Sequence, residues 1–151
     1  MPELPEVETV RAGLAPALTN ATVTAIDVLD ARSFKRHIGG VEDFKATMIG
    51  SKILAVVRRG KFLWMPLELA HDTAAAKGEH KLAMVGHLGM SGQLLVQPAT
   101  APAQTHMRAR MSLSSGLDKG KDEIRFIDQR TFGWLSIEEQ NNGIPRCVEH
   151  I

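Results

Sequence analysis

Apolar side chains change period along the chain, and the change divides it into a helical opening and a long run of strands. Val7, Val10 and Leu14 recur at helical spacing, and Pro5, Glu6 and Glu8 suit the first turn of a helix. Pro16 is expected to kink or end this helix, with Thr19-Asn20 closing it. Thr22 to Val28 is β-branched and strand-like. A basic loop with Arg32, Lys35, Arg36 and His37 follows, after which Val41, Phe44 and Met48 return to helical spacing up to Gly50. Short strands then dominate: Ile53 to Val57, Phe62 to Leu67, Leu82 to Val85, Gln93 to Val96, Ile124 to Ile127 and Trp134 to Ile137. His106 to Leu113 alternates, with Met107, Ala109, Met111 and Leu113 on one side and His106, Arg108, Arg110 and Ser112 on the other. Ala70 to His80 reads as a surface insertion and Glu138 to Gly143 as a polar linker. Short strands with turn signals, framed by two helices, predict an α+β fold that is mostly β. The expected architecture is a two-layer β-sandwich, or flattened barrel, of short antiparallel strands flanked by an N-terminal helix and a second short helix. Residues 1–137 form this domain, and 138–151 begin a linker.

Composition narrows the partners only slightly. The 151 residues carry 18 basic and 17 acidic side chains, a formal charge of +1, so any nucleic-acid face must come from local clustering. Cys147 is the single cysteine, which excludes an internal disulfide or a zinc ribbon within the chain and fits a reducing compartment, the cytoplasm by default. No apolar run approaches the roughly 20 residues of a membrane span, and the acidic start lacks the basic flank of a signal peptide.

Candidate chemistry begins at the amino terminus. Proline after the initiator leaves Met1 removable, and its removal exposes a secondary amine at Pro2. With an α-amino pKa of about 7.7–8.0, part of that amine is neutral near physiological pH and can condense with an aldehydic carbon to an iminium. Glu3 beside it can move protons. Arg58 and Arg59 form a basic cluster with Lys61 around Gly60. In His87-Leu88-Gly89-Met90-Ser91-Gly92, glycines let the backbone approach a ligand and reposition Met90. Asp128-Gln129-Arg130-Thr131-Phe132-Gly133 carries an arginine and an aromatic ring at a turn.

Taken in order with Pro2-Glu3-Leu4-Pro5-Glu6-Val7-Glu8-Thr9, these segments resemble the formamidopyrimidine-DNA glycosylases. The match covers the family's N-terminal signature, lysine-bearing β-turn, Met loop and arginine-phenylalanine wedge, nearly the whole chain. The resemblance implies base-excision repair. Pro2 would attack the sugar C1′ and form a Schiff base, Glu3 would act as the acid, and Lys61 would bind phosphate and serve in β-elimination. Met90 and Phe132 would fill the stack vacated by a flipped nucleotide, Arg130 would meet the orphaned base, and His106 would contact phosphate. Glu6, Arg58 and Arg59 are secondary candidates, with helix capping the competing role for Glu6. Leu4 stands where the endonuclease VIII group more often has glycine, which favours oxidised purines such as 8-oxoguanine and formamidopyrimidines. Two alternatives stay open: an oxidised-pyrimidine glycosylase of the endonuclease VIII type, and a non-catalytic module that binds damaged DNA. Thr131 replaces a second basic residue of many relatives, removing one backbone contact.

The family continues into a helix-two-turn-helix domain and a zinc finger. The resemblance therefore implies no cofactor in this chain and one structural zinc outside it. Its expected partner is double-stranded DNA with an oxidised purine or an abasic site, in the bacterial cytoplasm at the nucleoid, with no membrane. The full-length protein is expected to be a monomer. The fragment is expected to be weakly active or inactive and prone to self-association.

Overall fold

The computed structural model describes residues 4–69, 82–89, 92–114, 123–141 and 144–145. Helix α1 spans Leu4–Leu18 and α2 spans Gly40–Met48, with a 3-10 turn over Ala31–Phe34 between them. The strands are β1 (Thr22–Val28), β2 (Lys52–Ile53), β3 (Val57–Arg59), β4 (Phe62–Glu68), β5 (Leu82–His87), β6 (Gly92–Gln97), β7 (Met107–Ser114), β8 (Glu123–Asp128), β9 (Trp134–Asn141) and β10 (Ile144–Pro145). All pair antiparallel, in the order β10-β9-β5-β4-β2-β1-β7-β8-β6 with β3 against β4, and the sheet does not close.

Two-residue β2 joins two halves whose inner faces share one core. Leu63, Met65, Leu67, Met84 and Leu135 from one half pack with Val23, Ile26, Leu94, Met111, Ile124 and Phe126 from the other. Val7, Leu14 and Leu18 of α1 and Phe44 and Met48 of α2 complete that core. Each such side chain contributes about 1.5–3 kcal/mol by leaving water. The β-sandwich with flanking helices is as expected from the alternating pattern. The continuous apolar run of β4 has its own explanation: Trp64 faces outward into a second cluster with Ala83, Val85 and Trp134.

Three local expectations need correction. Pro16 does not end α1, which continues to Leu18. Proline removes only one amide bond there, its ring is exposed, and the helix ends where Asn20 takes a left-handed φ of 70°. Ile53 to Val57 is not one strand but is divided between β2 and β3. The start of the polar stretch after Ile137 is strand: β9 continues, pairing Glu138 with Ala83 and Glu139 with Leu82, before turning back through β10. Backbone pairing along the edge of β5 outweighs the poor hydropathy of that segment. The Ala70 to His80 insertion lies outside the described residues.

Candidate functional site

Strand register gathers the candidate loops at one end of the sandwich. Phe62, which begins β4, pairs with His87, which ends β5, and His87 pairs with Trp134, which begins β9. In the other half, Asp128 at the end of β8 pairs with Gly92 at the start of β6, and Met107 at the start of β7 pairs with Ile127. The Gly60-Lys61 turn, the β5–β6 loop, the β8–β9 loop and the entry to β7 therefore share one rim.

Lys61 stands in a two-residue hairpin, with Arg59 paired to Phe62 and Gly60 at a φ of 59°, as a II′ turn requires. Arg58 does not join Lys61 as a solvated cation. Its Nε donates to Glu8 Oε1 at 3.0 Å and its Nη1 donates to the Gly60 carbonyl at 3.1 Å. Arg11 holds the same carboxylate at 2.6 Å and reaches the Val56 carbonyl at 3.4 Å. Hydrogen bonds first from Arg11 and then from Arg58 lower the Glu8 pKa to about 2. As α1 is followed back from Arg11 to Glu8, its partners advance from Val56 to Arg58. Arg59 is half-buried in β3. Pro2, Glu3 and Met90 lie outside the described residues, as does the Glu6 side chain.

The β8–β9 loop presents Phe132, which is 54% exposed, with Arg130 exposed near it. This loop is heavily restrained. Asp128, fully buried, accepts the Gly133 amide at 2.7 Å through Oδ2. Arg108 donates to the carbonyls of Asp128 at 2.9 Å and Gln129 at 3.3 Å. Pairing of Met107 with Ile127 and Ala109 with Phe126 leaves Arg108 as an extra residue, and such a bulge re-aims its side chain toward the loop. Asp30 stands 3.4 Å behind that guanidinium, its pKa lowered to about 2 first by its hydrogen bond to Arg32. Thr131 adopts a φ of 56°, an outlier for a β-branched residue, with its hydroxyl on the Arg130 carbonyl at 2.6 Å. His106 is exposed at a φ of 68° and its carbonyl accepts the Asp128 amide at 3.1 Å.

His87 packs the β4, β5 and β9 ends of the rim together. Its ring lies edge-on to Phe62 and nearly parallel to Trp134, and its Nδ1 accepts the Gly89 amide at 3.0 Å. Burial, then the positive charges of Lys61 and Arg36, push its pKa below the usual histidine value. The Arg36 guanidinium sits 4.9 Å from the centre of the Trp134 ring. Sequence reasoning did not single out His87, Asp128 or Arg108 for a role in the site. The first two were legible only as members of loop motifs, and Arg108 only as the polar side of an alternating strand. Among the described residues no cluster of three or more His, Cys, Asp and Glu is placed to hold a metal.

The sequence pattern of the formamidopyrimidine-DNA glycosylase N-terminal domain matches residues 1–135. The chain belongs to that family. Formamidopyrimidine-DNA glycosylases of Nocardioides sp. and Salinispora tropica are 47% and 46% identical to it over 151 residues, all of this chain and 47% of each relative. The chain thus spans about half the length of the curated relatives it matches. Among solved structures, a Lactococcus lactis Fpg (MutM) bound to DNA containing an oxidised pyrimidine superposes with a TM-score of 0.72 at 26% identity, covering 91% of this chain and 44% of that one. A complex of MutM with DNA containing carbocyclic 8-oxo-G superposes equally, with a TM-score of 0.72 at 27% identity, over 92% of this chain and 45% of that one. The relatives named are bacterial, and no described helix is long and apolar enough to cross a membrane. In this formamidopyrimidine-DNA glycosylase domain, the Gly60-Lys61 turn, the base of the β5–β6 loop and the β8–β9 loop are the elements that the rim brings together.

Proposed function

We propose that this chain is the lesion-processing half of a DNA glycosylase with abasic-site lyase activity. The observation that carries the reading is the convergence of Lys61, the β5–β6 loop and the β8–β9 loop with its exposed Phe132 on one rim. The Pro2 amine attacks C1′ of the damaged nucleotide, and the glycosidic electron pair leaves with the base, which takes up a proton. Opening of the sugar, assisted by Glu3, gives the iminium, from which loss of the C2′ proton expels the 3′ phosphate. Lys61 holds backbone phosphate beside this centre. Extruding the nucleotide costs a few kcal/mol, and the exposed Phe132 ring, with Met90, replaces the lost stacking. Arg130 meets the orphaned base, and His106 contacts phosphate. The chain acts on chromosomal DNA in the bacterial cytoplasm.

Borohydride reduction in the presence of abasic-site duplex is expected to trap an adduct that peptide mapping places at Pro2, in protein whose intact mass shows Met1 removed. An adduct of equal yield from a Pro2→Gly variant, mapped elsewhere, would refute the assignment. Oxidised purines are the proposed substrates. Because one similar structure holds an oxidised pyrimidine, competition between 8-oxoguanine and thymine-glycol duplexes decides the lesion class.

A further inference from the structure

The β5–β6 and β8–β9 loops meet backbone to backbone at Gly89 and Gly133. A Cβ built on Gly89 would lie 2.7 Å from the Gly133 nitrogen and 2.9 Å from the Phe132 carbonyl carbon. A Cβ on Gly133 would lie 2.7 Å from the His87 carbonyl oxygen and 3.1 Å from the Leu88 carbonyl carbon. Each contact is closer than real side chains adopt, so either loop leaves no room for a side chain on the other's glycine. Gly89 also has a φ of 62°, which glycine alone adopts without strain.

Each glycine is tied in addition by the residue that ends its own preceding strand. His87 takes the Gly89 amide through Nδ1 and Asp128 takes the Gly133 amide through Oδ2. Both loops cross between the halves of the sandwich, one from β5 to β6 and the other from β8 to β9, and their anchors are paired on both sides, His87 with Trp134 and Gly92 with Asp128. Strand pairing therefore joins only the roots of the loops. The contact between Gly89 and Gly133 carries that coupling beyond the strand ends.

We propose that the two loops form a single interlocked body, with His87 and Asp128 as positioning residues, so that the loop bearing Met90 and the loop bearing Phe132 enter DNA together. The inference rests on the proposed function for its DNA part, while the interlock itself is a property of the free protein. Packing at the root of one loop thereby sets the depth of the aromatic ring on the other. Interlocking also offsets the entropy of inserting two independent loops, since Gly89 and Gly133 are already held against each other before DNA arrives. Thr131, held in a left-handed conformation next to the wedge ring, is the kind of strained residue that persists only where its surroundings over-determine it.

The test has a DNA-free arm and a DNA arm. In the first, amide hydrogen exchange at Gly133 is compared between the parent and the Gly89→Ala variant. His87→Phe serves as a second variant that keeps an aromatic ring but removes the acceptor. Exchange at Gly133 is expected to accelerate about tenfold or more in either variant, with the β1–β7 amides unchanged. Unchanged exchange at Gly133 in a folded variant overturns the interlock. In the second arm, 2-aminopurine opposite a tetrahydrofuran site reports insertion. Gly89→Ala and Phe132→Ala are each expected to weaken binding about tenfold, and the double variant to be no weaker than Phe132→Ala alone. Additive losses overturn the proposal that the loops enter together. If the parent binds the tetrahydrofuran duplex no better than undamaged DNA, the proposed function fails, and the exchange arm still decides the interlock.

Discussion

Replacing Arg125 with methionine tests whether a buried charge, rather than the apolar core, holds the loop that leads into His106. The Arg125 side chain is fully buried, and Nε donates to the buried carboxylate of Glu123 at 2.6 Å. Nη1 donates to the Pro102 carbonyl and to Gln104 Oε1, both at 2.9 Å, and Nη2 donates to the carbonyls of Ala101 at 2.8 Å and Pro98 at 3.4 Å. These bonds strap residues 98–104 across the outer face of β8, and the Gln104 carbonyl accepts the Met107 amide at the start of β7. Methionine keeps most of the volume but leaves Glu123 buried and unpaired, for which about 3–5 kcal/mol is the expected loss. The freed carbonyls belong to a surface loop that water can reach, so they add little. At roughly 2–4 °C per kcal/mol for a domain of this size, the midpoint should fall by roughly 6–20 °C. Urea or thermal unfolding followed by circular dichroism measures it. The double variant Glu123→Gln, Arg125→Met should recover about 1–2 kcal/mol by removing the orphaned charge. A single-variant loss below about 1 kcal/mol, or a double variant whose loss is the sum of the two singles, would show that the strap does not depend on this pair.

Two further outcomes can be read with modest effort. Because His87 has a lowered pKa in the fold, the unfolded chain binds more protons as pH drops, so its contribution is complete above about 6.5 and is lost as pH falls through the folded value. A stability profile from pH 8 to 5 should therefore decline on the acid side less steeply in His87→Phe than in the parent, and parallel slopes would contradict the assignment. Pro16→Ala restores a helical amide in an exposed turn of α1 and should stabilise by about 1–2 kcal/mol after allowing for the looser unfolded chain. A lower denaturation midpoint for that variant would mean that the proline ring makes contacts its exposure does not suggest.

Much of the sandwich was legible in the chain because inward side chains of paired strands alternate, as Ala109 and Met111 do in β7. The expectation failed where hydropathy and pairing diverge. Glu138 and Glu139 look like linker but join β9 because β5 offers an unpaired edge. β8 is buried along its whole length although it carries Glu123, Arg125 and Asp128, because those three are satisfied internally. At the site, the motif residues Lys61, Arg130 and Phe132 stand out as types in context. Their supports do not, since Arg108 looks like any outward arginine until a bulge turns it toward the wedge loop.

By itself the sequence determined most of the element types, the family and the kinds of side chain its motifs carry, among them a lysine, an arginine and an aromatic ring. These depend on local periodicity and on residue identity, which survive without coordinates. Only the tertiary structure decided that Arg58 is paired with Glu8, that Arg125 is buried, and that Gly89 rests on Gly133. Such facts arise from contacts between segments far apart in the chain. No local pattern specifies them, because close packing is a property of which surfaces meet and not of either surface alone.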